Sequence, residues 1–303
     1  MYKSSQIFDA HSHIVNVDKS SLQFHDYVDA HIKANVKSGI IMIHPYLEEI
    51  KCQKNRKHHP IIKVVDQKQE AFCSECGTLI CRNKNFYRRY NAILLDSIPQ
   101  IKEMGFVPFP FVTCISDSYA INDEVEFFEK QKSNFYGIKI YTGTSSNTLN
   151  NCSFNSNYPL IIHTGLWENQ FPMSMLHFIE RYDGPVLIAH FAMFDVDFIK
   201  RIKDKTNVYF DTCPAICAYN RYFIEKRNGG FINFDGIYNI EDLYYKLIDV
   251  VGIKKVIWGT DYPIGNVQDE INVVERLSLC ESEKADLLYN NAMHFLNIEN
   301  RKA

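Results

Sequence analysis

The sequence predicts an α/β fold, a (β/α)8 barrel open to distortion, with a long insertion after its second strand. Two observations predict it. The first is alternation: apolar runs rich in Val and Ile, bounded by Gly or Pro, are separated by segments of helical periodicity. Such runs read as strands buried on both faces, and these belong to parallel sheets with helices packed outside. The second is how the runs end. The runs 7–13, 159–163, 185–190 and 255–261 close on His11 and His13, His163, His190 and Asp261. Barrels keep catalytic groups at the carboxyl ends of their strands. Packing alone rarely brings so many ionisable groups to the ends of apolar strands.

Taken in order, residues 7–14 are the first strand, 22–37 a helix, and the apolar run 39–44 the second strand. A helix over 86–104 leads to an irregular third strand, 106–112, interrupted by Pro108 and Pro110. Residues 122–132 are a helix before the fourth strand, Gly137-Ile138-Lys139-Ile140. The segment 142–157 is rich in Ser, Asn and Thr, so the crossover helix there is short or replaced by loop. Helices over 173–182 and 195–203 follow the fifth and sixth strands, 207–211 is the seventh, and a helix over 241–251 leads to the eighth. There is no fixed short repeat, which excludes a solenoid. The whole chain, 1–303, reads as one domain with an insertion at 46–85.

Residues i and i+2 of a strand share a face, so His11 and His13 project together and can chelate one ion. Imidazole suits zinc, iron or nickel better than calcium or magnesium. Alone, the pair also fits surface or satisfied core histidines. His44 ends the second strand before Pro45, a position from which it can line the pocket rim and touch substrate. His25, His31, His177 and His294 fall within helical patterns and read as surface or core residues. The insertion is long, basic and polar, and holds Cys73-Ser74-Glu75-Cys76-Gly77, the spacing of a zinc knuckle. Cys52, His58, His59 and Cys81 lie nearby. Two readings stand: Cys73 and Cys76 bind a structural zinc, or the segment is an active-site cover with reduced cysteines.

Composition is that of an ordinary globular protein, 46% hydrophobic and 23% charged. A net charge of −3 gives no reason to expect nucleic acid or an anionic membrane as partner. No apolar run is long enough to span a bilayer, and residues 1–5 leave no room for a signal peptide before the first strand. Nine scattered cysteines read as reduced thiols in the cytoplasm. A small-molecule substrate is the expected partner, and a homodimer is compatible with this reading.

The motifs Asp9-Ala10-His11-Ser12-His13, Gly137-Ile138-Lys139-Ile140, Ile162-His163-Thr164-Gly165, Ile188-Ala189-His190 and Gly259-Thr260-Asp261-Tyr262-Pro263 occur in that order. Asn290-Asn291-Ala292 with Phe295-Leu296 closes the series. Together they resemble the amidohydrolase superfamily, in its amidohydrolase-related branch with aminocarboxymuconate semialdehyde decarboxylase and metal-dependent lactonases. The resemblance implies a TIM barrel with His11, His13, His163 and Asp261 around one divalent ion, zinc first, and an open position for water. A bound ion lowers the pKa of its water toward about 7. His190 is then expected as general base or carbonyl polariser, and Asp261 as ligand and proton shuttle. Asp9, two residues before His11 and on the same face, is expected either to orient a ligand imidazole or to be a helix-contacting acid at the barrel bottom. In some relatives a fourth-strand lysine is carboxylated and bridges two metals. Alternation points Lys139 inward, which fits such a bridge or a cation for an acidic substrate, and one ion is favoured over two. The implied activity is hydrolysis of a C–N or C–O bond in a small cyclic or acyl substrate. The alternatives are non-oxidative decarboxylation of a small unsaturated or aromatic acid, and a non-catalytic metal-binding barrel.

Overall fold

A computed structural model describes residues 6–14, 24–44, 52–55, 60–66, 68–83, 85–143, 148–153, 156–165, 168–224 and 236–297. The chain runs through β1 (Phe8–Ile14), α1 (Phe24–Lys33), β2 (Ser38–Ile43), β3 (Pro60–Val65), β4 (Lys68–Cys73) and β5 (Leu79–Asn83). It continues through α2 (Arg88–Glu103), β6 (Val107–Ile115), α3 (Ser118–Lys130), β7 (Gly137–Tyr141), β8 (Leu160–Ile162) and α4 (Leu176–Arg181). Next come β9 (Val186–Ile188), α5 (Val196–Ile202), β10 (Val208–Asp211), α6 (Ala215–Tyr219) and α7 (Glu241–Val251). It ends with β11 (Val256–Ile257), α8 (Val267–Arg276), α9 (Glu281–Ala285) and α10 (Asn291–Leu296).

Eight strands pair in the order β1-β2-β6-β7-β8-β9-β10-β11, each neighbour parallel. The first and last edges meet. Ala10 N–H donates to the Trp258 carbonyl at 3.2 Å, Asp261 N–H to that of His11 at 2.7 Å, and His13 N–H to that of Tyr262 at 2.8 Å. The result is the expected (β/α)8 TIM barrel.

Alternation decides what each strand residue does. Ile138, Ile140, Leu160, Ile162, Val186 and Ile188 point outward into the layer shared with the helices. Ile161, Leu187, Ala189 and Ile257 point inward, where Phe8, Ala10 and the α10 residues Phe295 and Leu296 join them. Each large aliphatic side chain so buried stabilises the fold by about 1.5–3 kcal/mol. Lys139 sits between outward Ile138 and Ile140 and is therefore inward, as alternation predicts.

Several details differ from the sequence expectations. The third strand is regular despite its prolines. Val107 N–H donates toward β2, at Lys37 O, so the nitrogens of Pro108 and Pro110 face the other side. Pairing with β7 starts only at Phe111, so the missing N–H groups cost no ladder bond there. The helix expected at 122–132 begins earlier, at Ser118, because the Asp117 side chain caps it by accepting from Ala120 N–H. The helix expected over 173–182 is α4 preceded by a 3-10 turn, Pro172–Met175. Between β7 and β8 the described residues hold only a 3-10 turn, Leu149–Asn151.

The insertion is more ordered than a polar connection. Its β3, β4 and β5 form an antiparallel sheet, with Pro60 opposite Cys73 and Ala71 opposite Cys81. The basic and polar side chains masked a β-branched run, Ile61, Ile62, Val64 and Val65, that makes β3. Ile62 and Ala71 pack with Phe86, Tyr87 and Tyr90 against the barrel. His58, His59 and the first residues of the insertion, from Tyr46, lie outside the described residues. Among the described residues, no helix is long and apolar enough to cross a membrane.

Candidate metal centre

The site begins with an irregularity in β1. Asp9 pairs with Gly39 and Ser12 with Ile41, so two β1 residues oppose one on β2. That bulge reverses the alternation. Phe8 and Ala10 point into the barrel before it, and His11 and His13 after it, with ring centroids 5.2 Å apart. Asp9 and Ser12 point outward to α1, where Asp9 meets His31 Nε2 at 2.9 Å and Ser12 Oγ meets the Tyr27 hydroxyl at 2.7 Å. The expectation that Asp9 shares the face of His11 and orients a ligand imidazole is therefore corrected, and its other reading, an acid contacting a helix, matches the contact with His31 on α1. Asp9 instead accepts the N–H groups of His11 and Thr260, both at 3.1 Å, and so ties β1 to the strand that closes the barrel.

Across the seam stands Asp261. Its Oδ1 lies 3.2 Å from His13 Nε2 and 3.6 Å from His11 Nε2. Ligand atoms of His11, His13 and Asp261 fall within 4.8 Å of one another, and all three residues are buried. Burial opposes ionisation of Asp261, but the adjoining imidazoles of His13, His190 and His11 outweigh it and hold the carboxyl well below the usual carboxylate range. Burial also lowers the pKa of His11, His13 and His163, keeping these imidazoles neutral.

The hydrogen-bond network assigns the tautomers. His13 Nδ1–H donates to the Ile43 carbonyl at 3.3 Å, which leaves a bare Nε2 facing the Asp261 carboxylate. Two acceptors 3.2 Å apart in a buried place require a cation or a proton between them. Since burial disfavours the proton, the pair fits a divalent ion, and neutral imidazole with carboxylate is a donor set such ions accept.

His163 and His190 form the other half of the rim. His190 Nδ1–H donates to the Cys213 carbonyl at 2.9 Å, and its Nε2 lies 3.0 Å from His163 Nδ1. His190 sits 5.2 Å, centroid to centroid, from His11. Both His190 and Asp261 adopt left-handed backbone, at φ 57 and 54, and residues 191–194 continue it at φ 50–53. For residues with a Cβ this conformation costs about 1–3 kcal/mol each and tends to cluster at functional sites.

A family model described as amidohydrolase matches residues 156–298. Over these residues, just under half of the chain, the sequence is similar to the amidohydrolase family. The resemblance drawn from the motifs is thereby borne out. No curated protein matches the chain in sequence. Solved structures share its fold at low identity. A probable 2-pyrone-4,6-dicarboxylic acid hydrolase from Acinetobacter baumannii, with citric acid bound, is 11% identical at a TM-score of 0.58, covering 96% of this chain and 99% of that one. 5-Carboxyvanillate decarboxylase from Sphingomonas paucimobilis is 11% identical at a TM-score of 0.60, covering 97% and 99%. The 5-carboxyvanillate decarboxylase of Novosphingobium aromaticivorans, complexed with manganese and 4-hydroxy-3-methoxy-5-nitrobenzoic acid, is 10% identical at a TM-score of 0.58, covering 96% of each chain.

The sequence reading missed the residue that organises the rim. Asp211, at the end of β10, accepts from His11 Nδ1–H at 2.6 Å through Oδ2. Its Oδ1 accepts the N–H groups of His190 at 2.6 Å and Cys213 at 3.3 Å. Asp211 thus fixes the His11 ring and the turn that carries His190. Burial raises its pKa to about 6. The signal was available: the seventh run, 207–211, also ends on a metal-competent side chain. His11, His190, Asp211 and Cys213 make a second group of ligand atoms within 4.8 Å.

Lys139 enters from β7, fully buried, with Nζ 2.9 Å from His11 Nε2. Burial lowers its pKa to about 8. His44 is half-buried beside His13, ring centroids 5.4 Å apart. His31 is a core residue, spanning Tyr27 O and Asp9, while His177 is exposed beside Glu180. Cys73 and Cys76 lie apart from the rim, together with Cys52.

Proposed function

We propose that the chain is a metal-dependent hydrolase that cleaves a C–N or C–O bond in a small cyclic or acyl substrate with one divalent ion, zinc first. The observation that carries this reading is the buried acceptor pair, His13 Nε2 against Asp261 Oδ1 at 3.2 Å, with His11 Nε2 beside it. His11, His13 and Asp261 would hold the ion, with His163 as a fourth donor from β8. Bound there, it would supply Lewis-acid charge and a nucleophile competent at neutral pH.

The chain's own groups supply the rest. His190 is held by Asp211 through its amide and by the Cys213 carbonyl through Nδ1, so Nε2 is its proton-accepting atom. Asp261, kept ionised, is the second proton acceptor at the rim. Lys139, at a pKa of about 8, is mostly cationic at neutral pH and suits the carboxylate of an acidic substrate. That same cation favours a second reading, non-oxidative decarboxylation of a small unsaturated or aromatic acid. The described cysteines are free thiols, which supports a cytoplasmic enzyme.

The test is a screen of metal-supplemented protein against lactones, amides and aromatic acids, followed for both ring opening and CO2 release. Ring opening or amide cleavage that disappears in Asp261→Asn supports hydrolysis. CO2 release without hydrolysis selects the second reading. Lys139→Ala should keep its metal and raise KM for acidic substrates, the pattern of lost ground-state binding. Loss of an ion in that variant would make Lys139 a metal bridge instead.

A further inference from the structure

The insertion carries a cluster of its own. Cys52 comes from the segment 52–55, Cys73 ends β4, and Cys76 lies in the turn before β5. The three sulfurs fall within 4.8 Å of one another, and Cys52 Sγ is 3.8 Å from Cys76 Sγ. All three are free thiols, with Cys52 and Cys73 buried. A tetrahedral zinc ion, with Zn–S near 2.3 Å, sets its sulfur ligands about 3.8 Å apart.

The turn is shaped for this. Cys76 N–H points at Cys73 Sγ at 3.3 Å, a contact that stabilises negative charge on sulfur. Gly77 N–H donates to the Cys73 carbonyl at 2.9 Å, and Gly77 takes φ +66, which residues with a Cβ rarely adopt. Cys76 Sγ also lies 3.3 Å from the Thr78 hydroxyl, a further polar contact that fixes the sulfur in the turn.

The sheet has a small core: Ile62 and Ala71 are buried against the barrel with Val64 and Ile80 partly so, whereas Leu79, beside the turn, is 45% exposed. A small three-stranded sheet with so little core needs a staple. We propose that Cys52, Cys73 and Cys76 bind a thiophilic divalent ion of the zinc type, which fastens the 52–55 segment to the β4–β5 turn. This site is separate from the barrel rim and does not rest on the proposed reaction.

Full-length protein, stripped with chelator under reducing conditions, is titrated with Co2+ and followed for the near-ultraviolet thiolate-to-cobalt charge-transfer band. Zinc content is measured in parallel. The wild type should show the band and bind one equivalent more than the rim accounts for. Cys73→Ser should lose the band and that equivalent. The His11→Ala/His13→Ala double variant leaves the cysteines untouched and should keep the band, so the result does not depend on whether Cys73→Ser folds. Absence of the band in both wild type and double variant would overturn the proposal. So would a Cys52–Cys76 disulfide found by mass analysis of protein purified under reducing conditions.

Discussion

At the rim, each side chain has a distinct consequence when removed. Asp261→Asn deletes a charge and a proton acceptor together, so turnover should vanish and metal retention weaken, read by metal analysis after dialysis. His190→Asn should keep most metal and lose about two or more decades in rate, the usual scale of acid–base work. Complete metal loss in that variant would make His190 a primary ligand. Asp211→Asn leaves the coordinating atoms in place but disturbs the His11 ring, and should cost about 10–100-fold in metal affinity, measured by competition with a chromogenic chelator. Burial lowers the pKa of His11, His13 and His163, so protons displace metal later in acid than for free imidazole. Metal should still be held at pH below 6.5, the ordinary imidazole value, and release centred on that value would refute the shift. His11, His13, His163, His190 and Asp261 were legible because each ends an apolar run. Asp211 was equally legible as a strand end, but no doublet or Gly/Pro signature marked it.

Between residue and fold, the elements decide which side chains meet. The β1 bulge is the clearest case: it turns His11 and His13 into the barrel and sends Asp9 out to α1. Sequence alternation reports a strand's period but carries no mark of a register shift, which is why it places Asp9 on the face of His11. The opposite strand supplies the space. A Cβ on Gly259 would sit 2.9 Å from His11 Cβ and 3.0 Å from its amide nitrogen. Gly259→Ala should therefore destabilise the fold by about 1–3 kcal/mol and weaken metal binding, measured by denaturant unfolding and metal titration of one preparation. Unchanged stability and unchanged metal affinity together would show that the seam is looser than its contacts indicate. The insertion shows the limit in the other direction. Its strands were hidden because charged and polar residues interrupt its apolar ones, whereas the pattern that makes β3 is only the short run 61–65.

Across the whole molecule, barrel closure and outer helices were predictable because they follow from long buried runs and their alternation with helices. Buried charge outside the rim was not, since a helical Glu in sequence looks solvent-exposed. Glu270 on α8 is fully buried and accepts the N–H groups of Ala215 and Ile216 at 3.1 Å each, holding the start of α6. Burial raises its pKa to about 8 from an ordinary 4.5. The folded state then binds the proton more tightly than the unfolded one. Stability from this group is complete below the unfolded value and is lost as pH rises through about 8. Glu270→Gln keeps an acceptor and removes the titration, so thermal unfolding of the two proteins should diverge in favour of the variant from about pH 5 to about pH 9. Parallel curves would contradict the assignment.

The central claim is that the barrel rim is a metal centre built on His11, His13 and Asp261. Its most direct test is an anomalous-scattering crystal structure of the metal-loaded protein, recorded on both sides of the metal's absorption edge. A peak among His11 Nε2, His13 Nε2 and Asp261 Oδ1, absent from the His11→Ala/His13→Ala variant, is the expected result. A fully loaded crystal with no peak there, or the same peak persisting in the double variant, would contradict it.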